Sequence, residues 1–338
     1  MKTSNVLRGV FLSTNYSYCG KISDWSAGRL ACKRRASGVK VYIFTPYKFN
    51  ALFRADALIT EFIKSMKTSK LLFLLLLLFS FSNASAQREK PPTQAELNEI
   101  TARGKMLYEY DVAAWHSTDA VMALSPPEGS IERYIARKTD KGWIVAYGKF
   151  NEKKDKFLIV YEAMQGAKSE EFKVQKLEKP REDAGFFLKA AKAHESAMND
   201  FIKTNPPRRP YNFAVLPTDA DEFFVYALPG QTKTGVFPLG GDIRYKISKE
   251  GAKILEKRQM HRSIIEFSVP PNAGKLETGY HTAILDDVPE DSDVFHVLTR
   301  TPKVPELIIT NKFVYQIAPD GTIKYLTTRE AFMKTGKQ

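Results

Sequence analysis

Apolar side chains recur at helical spacing at Leu97, Ile100, Leu107, Tyr110 and Ala114, directly after Thr93 and Glu96, a pair able to cap a helix reciprocally. The pattern predicts an amphipathic helix ending near Trp115. Runs rich in β-branched and aromatic residues follow at 131–138, 143–150, 157–164 and 172–177. Turn chemistry at Asp140-Lys141-Gly142 and over the charged 151–155 separates them, so they predict an antiparallel meander. A charged break at 179–183 leads into a second helical face, Phe187, Ala190, Ala191, His194, Met198, Phe201 and Ile202, which Asn205-Pro206-Pro207 stops.

Strand patterns continue at 211–216, 223–228, 243–247, 263–269 and 275–285, broken by Pro, Gly and Asp clusters. A short helix is expected over 291–300 and one strand or two over 307–317. Asp320-Gly321 reads as a tight turn into a strand at 322–326, and Thr327 with Glu330 offers a capping box for a terminal helix. The pattern as a whole predicts an α+β fold of mostly antiparallel sheets with a few flanking helices. Its expected organisation is a helix plus meander over 87–180 and a helix plus β-rich domain over 181–338.

One apolar run does not fit this periodicity. Residues 71–81 are almost continuously Leu and Phe, Lys67 and Lys70 precede them, and Ala84-Ser85-Ala86 follows. A positive start, an apolar core and a small-residue cleavage site make a secretory signal peptide over 66–86. Spanning a bilayer takes about 20 apolar residues, roughly twice this core. The expected mature chain therefore begins at Gln87, with no transmembrane span, in the periplasm or outside the cell. Residues 1–65 then read as a non-native leader, translated from a misplaced start.

That division changes the meaning of the net charge of +13. Residues 1–65 hold 11 Lys/Arg and 3 Asp/Glu, and the signal adds two lysines. Of 51 basic and 38 acidic residues, 38 and 35 remain from Gln87 onward, a net +3. The basic excess that would point to nucleic acid lies in the leader. Both cysteines, Cys19 and Cys32, lie there too, so the expected mature chain has no disulfide and no cysteine for lipid attachment.

Complete catalytic or cofactor motifs are lacking. Trp115-His116-Ser117-Thr118-Asp119 gathers triad residue types, but sequence neighbours point apart, so Ser117 or Thr118 reads as a helix end and Trp115 as core. His194 lies on the apolar face of its helix. Asp219, Asp221 and Glu222 lack the twelve-residue calcium loop, and Gly240-Gly241 precedes a strand, not a phosphate-holding helix N-terminus.

The richest stretch is Gly279-Tyr280-His281-Thr282-Ala283, followed by Pro289-Glu290-Asp291-Ser292-Asp293 and a helix carrying His296. In order and spacing it resembles a degenerate form of the JAB/MPN metalloprotease core over 211–326. The resemblance implies a zinc site of H-x-H on a strand and S-x-x-D opening a helix, with His281 and Asp293 at matching places. Ala283 stands at the second histidine and Glu290 at the serine, and no upstream glutamate matches the catalytic one. The resemblance thus implies a shared fold whose chemistry has been lost.

His296, one helical turn beyond Asp293, offers a relocated third ligand, so the candidate metal residues are His281, Asp293 and His296, with His261 as a fourth. The expected function is that of an exported, non-catalytic protein with an unknown envelope or extracellular partner, no nucleic acid and no cofactor. The alternative is a zinc-dependent, JAB-like hydrolase of peptide or isopeptide bonds.

Overall fold

A computed structural model describes residues 89–205, 209–269 and 274–335. The expected leader and signal peptide lie outside these residues. Helix α1 (Gln94–Met122) begins at the foreseen capping box: the Thr93 hydroxyl accepts from Glu96 N, and Thr93 N donates to the Glu96 carboxylate at 2.8 Å. It runs seven residues past Trp115 because the hydroxyls expected to end it are satisfied inside the helix. Ser117 Oγ donates to Ala113 O at 2.6 Å, and Tyr147 Oη stands 2.6 Å from Ser117 Oγ and 3.0 Å from Thr118 Oγ1. Trp115, expected in the core, is instead 39% exposed and stacks on His116.

Strands β1 (Arg133–Thr139), β2 (Gly142–Phe150), β3 (Phe157–Gln165) and β4 (Phe172–Asp183) form an antiparallel meander in that order. The charged 179–183 stretch, expected as a break, is the end of β4, where Arg181, Glu182 and Asp183 pair with Ile159, Leu158 and Phe157. Charge suits an edge strand whose outer side meets water. Asp183 then caps helix α2 (Phe186–Thr204), its Oδ1 accepting from Gly185 N and Leu188 N at 3.0 Å each.

The second sheet has the order β5 (Tyr211–Pro217), β6 (Phe223–Pro229), β8 (Ile243–Ile247), β9 (Ile254–Gln259), all antiparallel. Strand β7 (Phe237–Leu239) pairs with β10 (Ile265–Phe267) beside it. In the third sheet β11 (Gly279–Thr282) runs parallel to β12 (Glu306–Ile309), helix α3 (Asp291–Thr299) crossing between them. Antiparallel β13 (Phe313–Ile317) and β14 (Ile323–Thr328) complete that sheet, and α4 (Arg329–Thr335) follows.

The fold is thus α+β with mostly antiparallel sheets, none closed into a barrel, and four helices and fourteen strands among the described residues. No helix among them is long and apolar enough to cross a membrane. Three apolar clusters hold the layers. Helix α2 packs Phe187, Ala190 and Phe201 onto Ile135 and Ile159 of the first sheet and Phe213, Val225 and Tyr245 of the second. Helix α1 sets Leu107 and Tyr110 with Trp143, Leu216 and Tyr226, while its first turns, at Leu97 and Ile100, pack with Val294, Val297, Tyr315 and Ile317.

Candidate metal centre

Strand alternation aims His281 inward. In β11, Gly279 and His281 are buried while Tyr280 and Thr282 face out. His281 Nε2 lies 3.1 Å from Asp293 Oδ1, and His261 Nε2 reaches the same oxygen at 3.0 Å. Asp293 sits in the first turn of α3, where its other oxygen accepts from Glu290 N at 2.8 Å, so Oδ1 is left turned towards the imidazoles. His261 follows β9, in the connection to β10.

The two histidines are held from behind by buried acids. His261 Nδ1 meets Asp242 Oδ1 at 2.9 Å, and His281 Nδ1 meets Glu306 Oε1 at 3.0 Å. The other oxygen of Glu306 takes a hydrogen bond from Arg300 Nη1, while Arg300 Nη2 donates to Val304 O at 2.9 Å and Pro305 O at 3.1 Å. Arg300 is fully buried and lies over the Phe267 ring. Asp291, next to the site, fixes the start of α3: it accepts from Arg103 Nε at 2.9 Å, Arg244 Nη1 at 2.6 Å and Tyr226 Oη at 2.8 Å.

The inward atoms meet at ion-pair distance. His261 Nε2, His281 Nε2 and Asp293 Oδ1 are all buried and none has a hydrogen-bond partner of acceptable alignment. They lie within 4.8 Å of one another. Ligands of a tetrahedral ion with bonds of about 2.1 Å stand roughly 3.4 Å apart, so the 3.0 and 3.1 Å separations are close to those of a coordination sphere. Two imidazole nitrogens and one carboxylate oxygen suit a zinc-class ion.

The buried charges can be balanced in two ways. Asp242, Asp293 and Glu306 bring three formal negative charges and Arg300 one positive, all of them buried. Two further positive charges close the balance, supplied either by a second proton on each histidine or by one divalent cation. In the proton-held form, burial opposes charging of His281, but Asp293 and Glu306 outweigh it and push the ring up to about 9. Burial likewise disfavours the charged form of His261, yet Asp293 and Asp242 carry it well above the usual histidine range. Burial would raise Asp293, but the two imidazoliums hold it far below the usual carboxylate range.

Of the residues singled out in the sequence, His281 and Asp293 come together, and His261 is the third member of the group. His296 is not in that group: its ring meets Phe267 edge-on at 6.0 Å, and it lines a small cavity of about 40 Å³ with Asn212, Phe237 and Thr299. Burial, then the neighbouring Arg300, lowers His296 to about 4. One helical turn brings a side chain to the same face, but the imidazole here leans to the β10 side. Asp242, Glu306 and Arg300 carried no local sequence signal, since their roles come from strand pairing and a loop crossing. Comparison with known protein families, curated protein sequences and solved structures returns no match.

Proposed function

We propose that the protein is an exported, non-catalytic component of the periplasm or extracellular space that holds one zinc-class divalent ion through His261, His281 and Asp293. The observation that carries this is the convergence of three buried atoms, His261 Nε2, His281 Nε2 and Asp293 Oδ1, within 4.8 Å of one another, each imidazole having a carboxylate on its far nitrogen. Export rests on the signal-peptide grammar of 66–86. The ligands are 8%, 5% and 1% exposed, which favours an ion that ties the β9–β10 connection, β11 and α3 together over one that turns over substrate.

A second reading, a metal-dependent hydrolase of peptide or isopeptide bonds, draws on one feature: three protein ligands leave a fourth tetrahedral position for water. Metal analysis of the purified protein, followed by zinc titration of the chelator-treated protein, tests the main reading. One equivalent of zinc bound tightly, with no cleavage of peptide or isopeptide substrates, is the expected result. Zinc-dependent cleavage would favour the second reading, and absence of binding would remove both.

A further inference from the structure

The two metal-facing histidines share an arrangement that the other buried-facing histidines lack. Each has a carboxylate on Nδ1, Asp242 for His261 and Glu306 for His281. His194 Nδ1, by contrast, has no hydrogen-bond partner, and the His296 ring faces Phe267. The supports that deliver the two carboxylates are unrelated. Glu306 arrives from β12, directly opposite Gly279 of β11, one strand position from the partner of Tyr280. Asp242 arrives from the Gly240-Gly241 turn that leads into β8.

Both supports depend on missing side chains. A Cβ at Gly279 would stand 2.1 Å from Glu306 Oε2 and 2.7 Å from Arg300 Nη1, so any other residue there would displace the carboxylate and its guanidinium. A Cβ at Gly240 would stand 2.2 Å from the Ser263 carbonyl oxygen, and Gly240 and Gly241 have φ of 87° and 66°, which only glycine adopts readily. The turn therefore packs backbone on backbone against 261–263 and sets Asp242 beside His261.

We propose that Asp242 and Glu306 are positioning residues of the metal centre: each accepts a hydrogen bond from the Nδ1–H of its histidine, leaving the Nε2 lone pair turned towards the ion, and Arg300 holds Glu306 in place. The inference rests on the metal-binding reading above. An outer carboxylate fixes the tautomer and ring orientation of a ligating histidine and raises its basicity, and losing one typically weakens metal binding 10- to 100-fold. If the two acids served only to neutralise charge within the fold, their loss would lower the stability of the metal-free protein and leave the affinity of the folded protein unchanged.

The test is chelator-competition titration of the purified protein with zinc, and absorption spectroscopy with cobalt(II), on the parent, Asp242→Asn and Glu306→Gln. Both amides keep the size and an acceptor but lose the charge. We expect zinc affinity of the folded protein to fall about 10- to 100-fold in each, with an altered cobalt spectrum; the metal-free melting temperature also falls, because Asp242 is a counter-charge of the protonated His261, so the affinity of the folded fraction decides. Should Glu306→Gln fail to fold for want of a partner to Arg300, Asp242→Asn carries the test by itself. Parent-like zinc affinity in folded Asp242→Asn, beside stoichiometric binding by the parent, overturns the positioning role and leaves the metal reading intact. A parent that takes up no zinc overturns both.

Discussion

Tyr226 donates its hydroxyl to Asp291 Oδ2 at 2.8 Å, a bond between two fully buried side chains that fastens the second sheet to the first turn of α3, two residues before Asp293. Tyr226→Phe removes the donor and leaves Arg244 and Arg103 to hold the carboxylate. The variant should lose about 1.5–3 kcal/mol of stability by urea denaturation, the range for losing one hydrogen bond to a charged group. A variant as stable as the parent would mean that the two arginines satisfy Asp291 between them.

Asp293 is the one member of the proposed metal group that both histidines approach. Asp293→Ala should abolish zinc uptake in titration. Without metal it should also destabilise the protein by about 3–5 kcal/mol, because two buried imidazoles lose their shared counter-charge. His296→Ala should keep a full equivalent of zinc. The opposite pattern, with zinc lost in His296→Ala and kept in Asp293→Ala, would contradict the assigned ligands.

Trp143, only 5% exposed, meets the Tyr110 ring edge-on at 5.8 Å in the cluster beneath α1. Trp143→Ala should cost about 3–5 kcal/mol, since neighbouring rigid strands cannot collapse onto the cavity. Chemical denaturation measures it, and a loss below about 1 kcal/mol would place the core elsewhere.

His194 on α2 packs its ring on Phe213 at 5.4 Å, and burial, then the charge of Arg133, lowers it to about 3. Its folded-state value lies below the unfolded one, so the folded chain resists protonation. The stability this represents is complete above the ordinary histidine value of about 6.5 and is lost as pH falls from there towards 3. His194→Gln, which cannot titrate, should show a shallower loss of stability over that window in thermal melts. An unchanged acid slope would assign the sensitivity to other groups.

Export predicts a definite chain end. Intact-mass measurement of protein recovered from the envelope fraction or the medium should find an N-terminus at Gln87, cyclised or not. No peptide containing Cys19 or Cys32 should accompany it, and reductant should leave the melting temperature unchanged. Recovery of either cysteine peptide from native material would refute the cleavage.

The sequence by itself determined the features that local chemistry controls. The capping box at Thr93 and Glu96, the meander over β1 to β4 and the apolar face of α2 follow from spacing within a few residues, and spacing is what periodicity reads. His281 and Asp293 are singled out by the resemblance to the JAB/MPN motif, which places one on a strand and the other at the opening of the next helix. Tertiary structure decided the rest. Helix α1 outlasted its hydroxyls because Tyr147, some thirty residues on, satisfies them; β4 absorbed a charged stretch because β3 offered it partners. Tertiary structure also placed His261, and not His296, beside His281 and Asp293 in the candidate metal group, although His296 is the nearer in sequence to Asp293. A helix turn fixes only which face a side chain leaves from, whereas convergence on one point requires that the β9–β10 connection, β11 and α3 be packed together. Asp242, Glu306 and Arg300 could be assigned only from that packing, because a charged residue's sequence does not show whether a histidine will be folded against it.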